Sequence, residues 1–318
     1  MNNKVVVITL NYNQNDYTIK CINSLLDSSY KNFIVLLIDN GSAEENYIQL
    51  QRGLNKDSRL ILKRIVKNCG YVGGINYGLE EGIKLDPSYF LIMNNDTVID
   101  ENAITSLVNA CKRCNNNALV TGKVYHFEEK NRLQDVGYNF KGKCLDFNRI
   151  GLNEIDSAQY DEETERDMID DIYWLFPKTL YDKIGGYSTY FWFNAEQVDF
   201  ALRAKKLGYK LIYNPDANLW HKGSVSIGGR DYNPNQAYWH TQSSLILRYI
   251  HLNKLNFFKY YLITIMSIIR TFIKSLYFKA LGKCDISNYA RAKFLGLIYF
   301  NKWVIRKNVN TGINPFNK

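Results

Sequence analysis

The sequence predicts an α/β fold, a mainly parallel sheet with helices on both faces, continued by a C-terminal helical appendage. Three observations carry that expectation. Short β-rich runs alternate with stretches of helical apolar spacing through the first 125 residues. Several of those runs stop at clusters of Asn, Asp, Gly and Ser. The charge also divides along the chain. Residues 1–231 hold 27 Lys/Arg and 30 Asp/Glu, whereas residues 232–318 hold 13 Lys/Arg and a single acid, Asp285, for nets of −3 and +12.

Residues 5–10 form the first strand-like run, and 17–26 carry apolar residues at 19, 22, 25 and 26, a helical spacing. Residues 33–38 and 60–66 predict the second and third strands. Residues 89–93, Tyr-Phe-Leu-Ile-Met, predict a short buried strand, and 119–124 another. Residues 128–171 are polar and weakly periodic, as loops with short strands would be. Order returns between Trp174 and Trp220, with a strand over 210–213 and a loop at Pro215. From Gln236 onward the pattern is helical. A division into 1–253, with halves 1–125 and 126–253, and a tail 254–318 is expected.

The composition excludes several classes. Lys4 is followed by only a short apolar run, so no cleavable leader is expected. No stretch reaches the roughly 18 uncharged apolar residues of a spanning helix. The six cysteines (21, 69, 111, 114, 144 and 284) form no paired framework, and Cys111 and Cys114 have no second pair to complete a zinc site. Reduced thiols in a cytosolic protein are expected.

Ligands of α/β sheets bind beyond the carboxyl ends of the strands. Leu10 is followed by Asn11, Tyr12 and Asn13, and Ile38 by Asp39, Asn40, Gly41 and Ser42. Asp39 could accept from a base or ribose hydroxyl, although Ser42 as a helix cap would explain the same residues. Asn68 to Gly78 includes Gly70, Gly73 and Gly74, glycines that permit close backbone approach to a ligand before a helix start. The dinucleotide fingerprint is absent, since its spacing is wrong. Met93 is followed by Asn94, Asn95, Asp96 and Thr97. A carboxylate there suits a divalent cation, and a polar turn is the plain alternative.

This set, in this order, resembles glycosyltransferase family 2, in particular its rhamnosyltransferase-like branch with the GT-A fold, over about residues 3–255. The resemblance implies a nucleoside-diphosphate sugar donor, UDP- or dTDP-linked. It implies a nucleotide pocket in residues 1–125 built from Asn11, Asn13, Asp39, Asn68, Gly70, Gly74, Asn76, Asn95 and Asp96. It also implies a Mg2+ or Mn2+ cofactor on Asp96, the match to the family's metal-binding carboxylate. Trp220-His221-Lys222-Gly223 is similar to the family's Trp-His-x-Gly element, which makes His221 a metal or diphosphate contact. The other histidines, His126, His240 and His251, sit in no comparable pattern.

A second cluster reads Ile184-Gly185-Gly186-Tyr187, Phe191 to Asn194, then Glu196-Gln197-Val198-Asp199. Inverting glycosyl transfer needs a base for the acceptor hydroxyl and a cation for the departing diphosphate. Glu196 and Asp199, three residues apart, could share one side of a helix. Capping carboxylates paired with Arg203 are the structural alternative. The family pattern resembles Glu-Asp/Glu-x-Asp, with the second acid as base, but Gln197 occupies that position, and an amide cannot act as that base. Glu196 ranks first and Asp199 second. Trp174, Phe191 and Trp192 are candidates for sugar stacking, with core packing explaining each equally well, and Gln197 for acceptor contact. The family's Gly-Ala pair is replaced by Asp170-Asp171-Ile172-Tyr173-Trp174, and Ser188 and Thr189 stand where it has acids.

In the tail, 257–276 fits a helix with Lys259, Arg270 and Lys274 on one side. Phe257, Phe258, Tyr261, Ile265, Ile268, Ile269, Phe272 and Leu276 lie on the other. A second helix is expected over 289–307. The uncharged core 260–269 is too short to span a bilayer, and the composition is that of an interfacial helix on anionic lipid. Packing on the domain, or homodimerisation, is the alternative. No nucleic-acid motif accompanies the charge. The reading is an enzyme, an inverting glycosyltransferase peripheral to the inner face of the cell membrane, acting on a lipid-linked or cell-surface polysaccharide acceptor. A catalytically impaired nucleotide-sugar-binding module is its rival. A nucleotidyltransferase is disfavoured, because the segment after Leu10 has no Arg or Lys before Lys20.

Overall fold

A computed structural model describes residues 3–223, 232–283 and 286–316. Cys284 and Asp285 lie outside the described residues. The chain divides into two compact units. The first comprises Met1–Phe140, Phe147–Tyr187 and Phe200–Gly223, and the second Lys141–Asp146, Ser188–Asp199 and Ser224–Lys318.

The first unit opens with β1 (Val5–Asn11), α1 (Asn15–Leu26), β2 (Phe33–Asn40), α2 (Glu44–Gly53) and β3 (Leu60–Ile65). It continues through α3 (Gly70–Ile83), β4 (Tyr89–Met93), β5 (Thr97–Ile99), α4 (Ala103–Arg113) and β6 (Ala118–His126). Then follow β7 (Leu133–Asp135), β8 (Tyr138–Lys141), β9 (Asp146–Arg149), β10 (Thr164–Glu165), β11 (Tyr173–Pro177) and α5 (Lys178–Ile184). Last come α6 (Glu196–Lys206), whose first turn counts with the second unit, and β12 (Lys210–His221).

The main sheet runs β10-β12-β6-β11-β4-β1-β2-β3, with β5 on β12 and β7 on β6. β3, β2, β1 and β4 are mutually parallel, and β11 inserts antiparallel between β4 and β6. Val5, Val6, Val7 and Ile8 are all fully buried, which is why β1 reads as an unbroken apolar run rather than an alternating one. The β1–β2 register sets Asn11 beside Asp39 at the carboxyl end. β12 runs on to His221 where a loop was expected after Tyr213. A register shift between Asn214 and Asn218 accommodates Pro215, which lacks a ladder donor.

The glycine cluster, expected ahead of a helix start, lies within the helix: α3 starts at Gly70, whose φ is +76°. A Cβ at Gly74 would come within 2.8 Å of Leu10 Cδ1, at Gly78 within 2.5 Å of Ile8 Cγ2, and at Gly82 within 2.9 Å of Phe90 Cε1. These glycines recur every four residues on one face, so α3 lies directly against β1 and β4. Gly78→Ala gains about 1 kcal/mol of helix propensity but overpacks a stiff β-branched neighbour, at about 1–3 kcal/mol. Chemical denaturation should show a net loss. A gain would mean that the helix shifts freely.

The second unit holds α7 (Pro234–His251), α8 (Lys254–Ala280) and α9 (Ser287–Arg306). Asn233 caps α7, accepting from Asn235 N at 3.0 Å and Gln236 N at 3.3 Å, with Pro234 in the first turn. α9 crosses α7 at Gly296, where a Cβ would lie 2.8 Å from Tyr238 O. The buried side of α9 includes Ala292, Phe300 and Trp303. Arg248 is buried, donating to Cys144 O (2.7 Å), Leu145 O (3.0 Å) and Asp146 Oδ1 (2.9 Å).

α8 reverses the usual arrangement of a surface helix. Its inward side carries Phe257, Tyr261, Thr264, Ser267, Ile268, Thr271 and Ser275. Leu255, Phe258, Leu262, Met266, Ile269, Ile273 and Leu276 lie on roughly the opposite side and are exposed, Leu276 by 70%. The expected apolar face is therefore split, with Phe257, Tyr261 and Ile268 turned inward. Among the described residues α8 alone is long and apolar enough to cross a membrane by length and composition. The sequence leads to the expectation that no stretch reaches that length, and most of this helix is exposed.

Candidate functional site

The parallel strands bring the polar residues after β1, β2 and β4 to one edge of the first unit. Asn11 Nδ2 donates to Asp39 Oδ1 (2.9 Å) and to Ser42 Oγ (3.2 Å). Thr18 Oγ1 donates to Asn11 Oδ1 (2.8 Å), and Asn95 Nδ2 donates to Thr18 Oγ1 (2.7 Å). One network thus ties three strand ends. Asp39 is fully buried, accepts from Ser42 N at 3.2 Å and has Arg64 Nε at 3.7 Å. Its carboxylate is occupied by protein partners. Ser42 is not a helix cap: Ala43 holds that position, and Ser42 Oγ accepts from Asn13 N at 2.9 Å. Asn13, at φ +54°, accepts from Ala43 N (3.0 Å) and Asn46 Nδ2 (2.8 Å).

Asn68 Oδ1 accepts from Gly70 N (2.8 Å), and Asn40 Nδ2 donates to Gly70 O (2.9 Å), fixing the entry to α3. Gly74 is buried against Leu10 and Asn40, so its role is helix–strand packing. Asn76 is likewise committed: it donates to Tyr187 O and accepts from Tyr187 N, both at 2.8 Å. A Cβ on Gly186 would lie 2.2 Å from Asn76 Oδ1.

Asp96 and His221 meet in this unit. β5 pairs with β12 so that Thr97 faces His221, and Lys222 N donates to Asp96 O at 2.9 Å. Asp96 Oδ1 stands 3.2 Å from His221 Nε2. Gln134 Nε2 donates to His221 O (2.7 Å), which directs its Oε1 to His221 Nδ1 at 2.8 Å. Both imidazole nitrogens therefore face oxygen acceptors, and a neutral imidazole carries only one N–H. With Nδ1–H given to Gln134, the Nε2 lone pair points at a carboxylate. That arrangement is satisfied by an imidazolium or by a cation between the two groups, and a metal-ligating His typically has its other nitrogen fixed in this way. Burial raises the Asp96 pKa, but His221 and backbone N–H groups outweigh it and hold it below the ordinary value. Among the described residues no cluster of three or more His, Cys, Asp or Glu is shaped for a metal. Two protein ligands suit a cation that takes its remaining oxygens from phosphate and water.

Asp170 and Asp171, just before β11, form an acidic group that sequence reasoning noted only as a departure from a pattern. Asp171 accepts from Tyr187 Oη (2.6 Å) and Tyr71 Oη (2.9 Å). Burial, then the charge of Asp170, pushes its pKa up to about 7, and the same two causes push Asp135 up to about 6. Asn94 N donates to Ile172 O at 2.9 Å, so these acids lie at the end of β4 that carries Asp96. Trp174 is fully buried, with Phe200 at 5.6 Å and Tyr187 at 6.4 Å, and Phe191 is 1% exposed. Core packing accounts for both, and no face of Trp174 is open to a sugar.

The second unit holds the start of α6. Asn194 and Ala195 precede it at φ +68° and +72°, unfavourable for residues with a side chain. Glu196 is 3% exposed. Asp199 accepts from Ser188 Oγ (2.5 Å) and His251 Nε2 (2.8 Å), a commitment of both oxygens that the bare sequence did not disclose for His251. Gln197 Oε1 is buried without a hydrogen-bond partner among the described residues. Trp192 stacks on Trp239 at 6.2 Å and 15°, and meets Gly312, where a Cβ would lie 2.4 Å from its ring.

Comparisons with known proteins agree with these observations. The Glycosyl transferase family 2 profile matches residues 5–171. Glycosyltransferase GlyG of Streptococcus pneumoniae serotype 4 is 22% identical over 161 residues, 50% of this chain and 51% of GlyG. The crystal structure of GalNAc-T7 with UDP, GalNAc and Mn2+ is similar in fold, at TM-score 0.56 and 12% identity, over 96% of this chain and 57% of that one. The chain thus spans about half the length of the relatives it matches. The fold is GT-A-like, and with the profile covering more than half of its residues the chain belongs to glycosyl transferase family 2.

Proposed function

We propose that the protein is an inverting, divalent-cation-dependent glycosyltransferase. It takes a sugar from a UDP- or dTDP-linked donor and delivers it to a lipid-linked or cell-surface polysaccharide acceptor at the inner face of the cell membrane. The observation that carries this is the Asp96–His221 pair with Nδ1 engaged by Gln134. Asp96 and His221 would hold Mg2+ or Mn2+, which stabilises the negative charge of the departing diphosphate. The acceptor oxygen forms a bond to the anomeric carbon as the bond from that carbon to the diphosphate breaks. The bonding pair leaves with the diphosphate, and the acceptor proton passes to Glu196. Asp199 is the weaker candidate because His251 and Ser188 engage it. Release of nucleoside diphosphate from a donor panel, with and without Mn2+ or Mg2+, tests the reading. Metal-dependent release supports it, and no turnover with any donor and acceptor extract counts against it.

Gln197 favours a second reading, a nucleotide-sugar-binding module without turnover. If Gln197→Glu creates activity in an inert parent, that reading gains.

The membrane part of the proposal rests on the exposed apolar ridge of α8 and the basic residues beside it, Lys259, Arg270 and Lys274. Truncation after 253 would strip α9 from α7, so point changes test it better. Leu262→Glu with Ile269→Glu should abolish co-sedimentation with anionic vesicles and leave the melting temperature unchanged, since both side chains are exposed. Raised salt should weaken wild-type binding only in part. Undiminished binding by the double variant would rule out docking through this ridge.

A further inference from the structure

The second unit contains a cavity of about 500 Å³ between α7, α8, α9 and the segment Phe193–Asn194. Its polar wall is one-sided in charge. Lys293, on α9, donates to Ser267 Oγ (2.7 Å) and Thr271 Oγ1 (3.1 Å), the inward polar stripe of α8. His240, on α7, remains accessible through the cavity. The surrounding protein, and then the charges of Arg248 and Lys293, lower its pKa. Among the described residues no carboxylate lines the cavity. Lys293 is half-buried, and burial alone depresses its pKa. Besides the two hydroxyls it has the Tyr289 ring at 5.9 Å, and among the described residues no carboxylate is recorded against it, so this cation withdrawn from water is poised for an anion.

The cavity also has an apolar margin. Ile263 lines it and is at the same time 61% exposed on α8, beside the outward ridge. A ligand with an anionic head at Lys293 would lead its apolar part out past Ile263 along Met266 and Leu262. Phe193 and Asn194 form another wall, anchored by Ser243 Oγ donating to Phe193 O (3.0 Å), only two residues ahead of Glu196.

We propose that this cavity binds the phosphate of an amphiphilic phosphate ester, with Lys293 as the charged contact and His240 as a polar one. The identification of that amphiphile with the acceptor rests on the transferase reading above, whereas the anion site itself does not. The probe is octyl phosphate below its micelle concentration, titrated against the full chain, with octanol, inorganic phosphate and UDP with Mn2+ as parallel arms. Octyl phosphate should bind, octanol and inorganic phosphate at least about tenfold more weakly, and UDP should not displace it. Lys293→Gln should weaken octyl phosphate about tenfold or more, the loss of one charge-assisted hydrogen bond. Lys293→Arg should stay within about threefold, and UDP affinity should be unchanged in both. In the wild-type chain octyl phosphate should also protect Lys293 from reductive methylation, read by mass spectrometry, which needs no variant to fold. Equal affinity in Lys293→Gln, absence of protection, displacement by UDP, or inorganic phosphate binding as well as the ester would each overturn the proposal. Failure here with UDP binding intact leaves the transferase reading standing. Octyl phosphate binding without UDP binding removes the transferase reading alone.

Discussion

Asp96→Ala is expected to lower metal-dependent turnover by about 10²-fold or more, the usual consequence of deleting a group that stabilises leaving-group charge. The side chain is held ionised: the pKa lies below its ordinary value because His221 and backbone donors outweigh the cost of burial. A depressed carboxyl pKa means that the ionised ligand persists above that value and is lost only as pH falls through it, so protonation of Asp96 weakens cation binding only below the ordinary carboxylate range. The fold should survive, because Lys222 N bonds to the Asp96 backbone rather than to its side chain. Mn2+ affinity in the presence of UDP, measured beside turnover, separates loss of the ligand from loss of structure. Unchanged turnover would mean that Asn94-Asn95-Asp96 is only a turn.

Glu196→Gln is the second large expected effect, a fall in kcat of about 10²- to 10⁴-fold with nucleotide affinity retained, as expected for removal of a general base. The substitution keeps size and hydrogen-bonding capacity at a site only 3% exposed. Asp199→Asn should behave differently. Its bonds from Ser188 and His251 make it a structural link, so its loss should appear first in the melting temperature. If Asp199→Asn abolishes kcat at unchanged stability while Glu196→Gln does not, the assignment of the base is reversed.

Much of the fold was legible because buried parallel strands leave long apolar runs. β4 was read at both ends, and β2 and β6 were read slightly short, since their polar terminal residues still join the ladder. The pairing of Asp96 with His221 was legible only through a resemblance, because 221 reaches 96 by the β5–β12 register, which local pattern does not encode. The glycines of α3 were read as preceding a helix start, whereas they lie within the helix. Glycine disfavours helix on its own, and only contact with Leu10, Ile8 and Phe90 explains three on one face. Gly74 and Asn76, expected at the ligand, are committed to protein contacts for the same reason: packing partners far along the chain are invisible in a local pattern. His251 was passed over because its partner Asp199 lies 52 residues away. On α8 the helical period was read correctly but the inward side was not, because the polar stripe that faces Lys293 is spelled only in Ser and Thr.

That reversed helix has a colloidal consequence. Among the described residues nothing covers the ridge from Leu255 to Leu276, and the positive charge concentrated in the same region would oppose the approach of a second copy. Salt then acts on two processes in opposite directions. It loosens the electrostatic part of adsorption to an anionic bilayer, and it also screens the repulsion between copies, so ridge-to-ridge self-association rises as adsorption falls. A dispersed state is therefore expected to persist longest where ionic strength is low and lipid is absent.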